Sequence, residues 1–314
     1  MSAFSRWIAL ATLVSGSAYA DKNDLDISKL GNPDPRWPTT FNATANSNFQ
    51  AFARTFAASL TSTNLMPPET LGHSGFNVNA ELSVVSLPSD TVIPTEGEQP
   101  GTVLVPSFHL RKGLPFSIEL GARVGWVEKS RMLAATGEVK WAINEGFNLG
   151  AQKSGVDTLI SALPDIGVRG HITRLTGVRD FSLTAAGVDL GAGKQFALGG
   201  MVTLTPYGGL DFTFVGANSN NIDFRQDRAY DETLEEGSLS ALEDTGAYRR
   251  VSFTNNINQR IYGGVRFIGG VLQIGAEISV TRLSSVRLDP NDDNSETRGL
   301  NSVLTFNTSL GLDF

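Results

Sequence analysis

Cysteine is absent from all 314 residues. That excludes disulfide staples and a lipid anchor carried on a cysteine, and it suits an exported chain that needs neither. Long apolar runs are missing as well. Trp7–Val14 is too short to cross a bilayer as a helix, which needs about 20 residues, and no later stretch is longer. Histidine is scarce, three in all, and His73, His109 and His171 have no metal-ligand spacing, so neither metal nor cofactor is expected. Basic charge is in deficit, 25 Lys and Arg against 32 Asp and Glu for a net −7. With no basic patch either, a nucleic-acid partner is disfavoured.

What is present begins with a leader. Arg6, the apolar Trp7–Val14 and the small-residue site Ala18-Tyr19-Ala20 read as a secretory signal over residues 1–20. Residues 21–72 form an N-terminal arm. Its first part, 21–45, is polar and broken by Pro33, Pro35 and Pro38, which reads as an irregular periplasmic segment. Ser47–Thr61 reads as a helix capped by Ser47, with Phe49, Phe52, Phe56 and Leu60 on one stripe. Such a helix must lie against something, and the candidates are the barrel mouth, its lumen or the periplasmic rim. Because Pro67 and Pro68 lead at once into the first strand, the expected seat is the periplasmic mouth, with Phe49, Phe52 and Phe56 as plug or seal.

A hydrophobic content of 40% and a mean hydropathy of −0.07 look like a soluble globule. A membrane barrel dilutes its average in the same way, because lipid-facing and lumen-facing residues alternate along each strand. From Gly75 onward ten segments alternate with period two, over 75–86, 102–111, 115–127, 131–144, 158–173, 179–190, 196–214, 248–267, 271–284 and 299–314. In the third, Phe116, Ile118, Leu120, Ala122, Val124 and Trp126 oppose Ser117, Glu119, Gly121, Arg123 and Gly125. The fifth sets Ile160, Ala162, Ile166, Val168 and Ile172 against Asp165, Arg169 and His171. The sixth is ambiguous in register. Gaps at 112–114, 191–195 and 268–270 are short, while 87–101, 215–247 and 285–298 are long, as expected for periplasmic turns and external loops. The gaps 145–157 and 128–130 break that pattern. The reading is an all-β, closed antiparallel transmembrane barrel of about ten strands over 73–314, with eight or twelve as alternatives. A closed sheet is also what satisfies every backbone group in lipid.

The last strand carries Phe306, Leu310, Leu312 and Phe314 on one face. It resembles the C-terminal signature strand by which outer-membrane barrels are recognised for assembly. The stretches Pro68-Glu69-Thr70-Leu71-Gly72-His73-Ser74-Gly75-Phe76 and Arg111-Lys112-Gly113-Leu114-Pro115-Phe116 resemble a largely uncharacterised, porin-like group of exported Gram-negative barrels. The resemblance implies fold and place, the cell outer membrane, and no activity. The expected partners are outer-membrane lipid, lipopolysaccharide and the barrel-assembly machinery, and a monomer is expected.

The same register points Glu81, Glu119, Glu138, Asp165, Asp211 and Glu277 inward against Arg123, Lys140, Arg169, Arg260 and Arg266. An ion-selective pore needs one sign of charge. Balanced signs in a narrow lumen pair with each other and fill it. Ser107 and His109 lie two apart on one strand face, but no acidic group is identifiable to orient the imidazole, so a membrane-embedded hydrolase ranks last and no enzyme is expected. The acid-rich stretch around Asp223–Asp244 and the set Asp289, Asp292, Asp293 and Glu296 read as solvated loops rather than cation sites. Passage of small solutes or hydrophobic compounds through a narrow or plugged lumen comes first. A structural or surface-interacting barrel with a filled lumen comes second.

Overall fold

The computed structural model describes residues 20–31, 43–61, 63–144, 164–199, 201–220, 222, 247–289, 292 and 294–314. The leader up to Tyr19, the stretch 223–246, Asp293, and Ile160 and Ala162 of the expected fifth strand lie outside the described residues.

Among the described residues one α-helix, α1 (Ala43–Leu60), precedes thirteen strands: β1 (Phe76–Ser86), β2 (Thr102–Leu114), β3 (Ile118–Trp126), β4 (Leu133–Ala142), β5 (Asp165–Thr176), β6 (Phe181–Gly193), β7 (Phe196–Gly199), β8 (Val202–Ser219), β9 (Ile257–Gly269), β10 (Leu272–Arg282), β11 (Val286–Arg287), β12 (Thr297–Arg298) and β13 (Val303–Asp313). Ten of them form the wall in the order β6-β5-β4-β3-β2-β1-β13-β10-β9-β8, and β6 pairs with β8 to close the ring. Every wall pairing is antiparallel, from Glu81↔Ser309 between the first and last strands to Leu190↔Leu210 at the closure. The short β7 pairs only with β8, and β11 with β12.

Period-two alternation decides which side chains meet lipid. Leu120, Val139, Ile172, Val188, Ile261, Ile278 and Phe306 are exposed on the outside, while their neighbours Glu119, Glu138, His171, Asp189, Arg260, Glu277 and Asn307 are buried inside. Trp126 near one rim and Trp141 near the other stand exposed beside this apolar band, as in the aromatic girdles of membrane barrels. A closed sheet with an apolar outside and a charged inside is the architecture of the outer membrane. Phe116 belongs to the turn rather than to β3. It is 89% exposed, and it and Ser117 take positive φ values of 66° and 56°.

One rim, the turn end, holds Phe76 and Phe314, which exchange backbone bonds of 2.9 Å in both directions. The other, the loop end, holds the connection 87–101 and the described residues of the connections after β8 (220, 222 and 247–256) and after β10 (283–289, 292 and 294–302). Long loops face outward in such barrels and short turns face the periplasm.

The N-terminal arm departs from expectation. Residues 20–31 sit at the loop end, not on the periplasmic side. The Asn23 amide donates to Lys129 O at 2.8 Å and the Asp26 amide to Pro94 O at 2.8 Å. The Tyr248 hydroxyl donates to Gly31 O at 2.6 Å. Burial, with Asp26 nearby, pushes the Tyr248 pKa above the usual phenol range, so it remains a donor. Helix α1 starts four residues earlier than the sequence pattern predicts, because nothing between Ala43 and Ser47 breaks a helix. It lies inside the barrel and is buried on nearly every side. After it, residues 63–72 run through the rest of the lumen to the turn end. About 3.3–3.6 Å per extended residue is ample for that crossing. The expected seat at the periplasmic mouth failed because the linker is drawn out rather than folded short.

Candidate functional site

The lumen is the candidate site, and its contents are two layers set by two elements. Toward the loop end α1 packs Phe49, Phe52 and Phe56 around Phe181 of β6. The Phe49 and Phe52 centroids lie 5.8 and 5.1 Å from that ring. Phe49 also stacks on Tyr248 at 4.8 Å. Ala53, Ala57 and Ala58 are buried too, and small side chains here let a helix fit within ten strands.

Toward the turn end the wall is charged. Glu138 of β4 accepts from Arg111 Nε at 3.0 Å and Arg169 at 2.8 Å, and His109 Nε2 lies 2.9 Å from it. His109 Nδ1 meets Glu81 at 2.9 Å, and Glu81 holds Arg123 Nε at 2.8 Å. Arg169 continues to Asp189 at 3.0 Å, which accepts from the Tyr262 hydroxyl at 2.6 Å. Asp211 takes His171 at 3.1 Å and pairs with Arg260. Strands β1 to β6, β8 and β9 are thereby cross-linked. The wall contributes six buried acids (Glu81, Glu119, Glu138, Asp189, Asp211, Glu277) and six buried Arg or Lys (Arg111, Arg123, Lys140, Arg169, Arg260, Arg266), so this layer has no dominant sign.

The same groups grip the segment that runs through them. Arg111 donates to Asn64 O at 2.6 Å, and Glu277 accepts the Leu65 amide at 3.0 Å. Gln273 donates to the Met66 sulfur at 3.1 Å. Lys140 donates to Pro67 O at 3.3 Å and Glu69 O at 2.9 Å. Arg266 pairs with the Glu69 carboxylate, and Glu119 accepts the Leu71 amide at 3.2 Å while holding Lys140 at 3.0 Å. A strand of irregular backbone can sit at this depth because the wall supplies its hydrogen bonds.

Of the inward charges read from sequence, ten are buried in this layer. Asp165 is not with them: it stands half-buried at the turn end of β5. Phe306, Leu310, Leu312 and Phe314 all point outward and are exposed. His73 is an exposed turn residue. The expectation that no acidic group lies beside His109 is corrected here, since Glu81 and Glu138 occupy both ring nitrogens. Glu81 comes from the adjacent β1 and Glu138 from β4, two strands away, where no local spacing could reveal them. Neither nitrogen is left for Ser107, whose hydroxyl donates to Val105 O at 3.3 Å. Asp189, Arg111 and Tyr262 were missed. Alternation with His109 signals Arg111, whereas β6 carries small residues on both faces and hides the register of Asp189.

No family model matches the chain, and no curated protein does. Among solved structures it is similar to Neisserial surface protein A (NspA), at 11% identity and a TM-score of 0.27 over 76% of this chain and 95% of that one. The outer-membrane protein OprG of Pseudomonas aeruginosa gives 10% identity and 0.28 over 78% and 99%. The translocator domain of the autotransporter NalP of Neisseria meningitidis gives 11% and 0.31 over 87% and 96%.

Proposed function

We propose that this outer-membrane barrel works sealed, as a structural and surface-interacting barrel whose lumen is occupied by its own N-terminal segment. The observation that supports this reading is the grip on residues 64–71 by Arg111, Lys140, Glu119, Arg266, Gln273 and Glu277, drawn from five wall strands. Passage of solutes would require that segment to leave. At the turn end it continues into β1, and at the loop end it continues into an 18-residue helix packed on Phe181. Neither end can shift without breaking buried contacts. The wall's balanced charges also offer no single-sign ladder for ions. Lipid covers the apolar band, and the loop end meets lipopolysaccharide and the medium.

Single-channel recording in planar bilayers tests this. The intact protein is expected to be silent at both polarities. A form lacking residues 21–71 is expected to conduct, which shows that silence comes from the occupant and not from failed insertion. A steady conductance from the intact protein would sink the proposal.

A further inference from the structure

A cavity of about 460 Å³ opens at the loop end between α1 and the segments 249–256, 285–287 and 297. Its size falls in the range of small-molecule sites. Four arginines line it, Arg54, Arg249, Arg250 and Arg287. The other described lining residues are amides, hydroxyls and one valine, with no carboxylate among them.

Arg54 makes the arrangement specific. It is 2% exposed, on α1, and its hydrogen bonds all go to neutral oxygens. Nε donates to Asn256 Oδ1 at 2.8 Å, and the terminal nitrogens donate to Ser284 O at 2.7 Å, Asn255 O at 3.0 Å and Ser285 O. Its hydrogen bonding is therefore satisfied but its charge is not. Among the described residues no carboxylate pairs with it. A buried charge without a counter-charge is unfavourable, and here it lies beneath a cavity whose rim carries the exposed Arg249 and Arg250. Such a concave, low-dielectric basin focuses positive potential and concentrates anions. Guanidinium groups bind tetrahedral oxyanions with paired donors, and the lining amides Asn46 and Gln50 suit neighbouring hydroxyls.

We propose that this pocket binds a phosphate or sulfate ester carried on a sugar-sized body, the oxyanion lying among Arg249, Arg250 and Arg287 above Arg54. The inference goes beyond the sealed-barrel reading, because the pocket would bind whether or not the lumen conducts.

Isothermal titration of the folded protein in neutral detergent at low ionic strength tests it, with glucose 6-phosphate as probe and glucose as the uncharged control. The expected result is saturable one-to-one binding of glucose 6-phosphate, weakened by added salt, and none of glucose. Arg250→Gln with Arg287→Gln is expected to weaken binding at least about tenfold, with heat-modifiable gel migration reporting that the barrel is intact. Arg54→Gln is expected to do the same, but it also removes bonds that hold α1, so the rim pair is the deciding variant. Competition by lipopolysaccharide would identify the membrane's own phosphates as the source, and its absence a free phosphorylated solute. Equal binding of glucose and glucose 6-phosphate, or unchanged affinity in the rim variant, would overturn the proposal.

Discussion

Glu138 is the residue on which the lumenal wall turns, because His109, Arg111 and Arg169 all converge on its two oxygens. Removing one member of a buried charge cluster leaves its partners uncompensated and costs about 3–5 kcal/mol. Glu138→Ala is therefore expected to lower the unfolding transition in detergent strongly, whereas Glu98→Ala on the exposed loop leaves it in place; equal shifts would mean that the cluster contributes nothing special. Close approach is the other residue-scale constraint. A Cβ at Gly264 would lie 2.7 Å from the Tyr207 ring and from the Ala276 carbonyl oxygen. Gly264→Ala must push Tyr207 off Glu277, which it now meets at 3.2 Å. Overpacking of this kind costs about 1–3 kcal/mol, and a denaturant midpoint unchanged from the parent would contradict it.

At the scale of elements, each wall strand presents two surfaces whose solvents differ. Ile278, in the middle of β10, is 55% exposed on the lipid side. An arginine there should cost roughly 2–4 kcal/mol near the bilayer midplane. Reversible unfolding from lipid vesicles measures that loss, and wild-type stability of Ile278→Arg would contradict the assigned register. The helix was legible as an element but not as an environment. Its phenylalanine stripe is plain in the sequence, yet Ala51, Ala53, Ala57 and Ala58 off that stripe are also buried. A one-sided pattern is read as a surface helix. Here the second side is covered by the barrel that surrounds it, and no residue of α1 announces that.

For the molecule as a whole, the course of the arm is what separates expectation from structure. Lys22, exposed at the loop end, has its carbonyl bonded to Gly97 at 2.9 Å, while Ser74 is exposed at the turn end. The absence of native cysteine makes single-cysteine probes clean. Lys22→Cys is expected to react with a membrane-impermeant maleimide on intact cells and Ser74→Cys only after lysis. The reverse pattern would restore the periplasmic arm.

The alternation over β3, β4, β8, β10 and β13 by itself determined a sheet with a lipid face and a polar face, and it marked Glu119, Arg123, Glu138, Asp211 and Glu277 as inward. That information is local, since side chains of a strand point to opposite sides every residue. Which of those charges meet was decided only by the closed ring. Arg123 finds Glu81, Arg260 finds Asp211 and His109 is shared by Glu81 and Glu138 because the successive antiparallel registers bring residues dozens of positions apart in the chain, on adjacent or next-but-one strands, to one height in the lumen. Tertiary structure alone likewise carried the arm through the lumen to the loop end. An extended segment with no period of its own takes its course from the walls that supply its hydrogen bonds, and here those walls are the strands that come after it in the sequence.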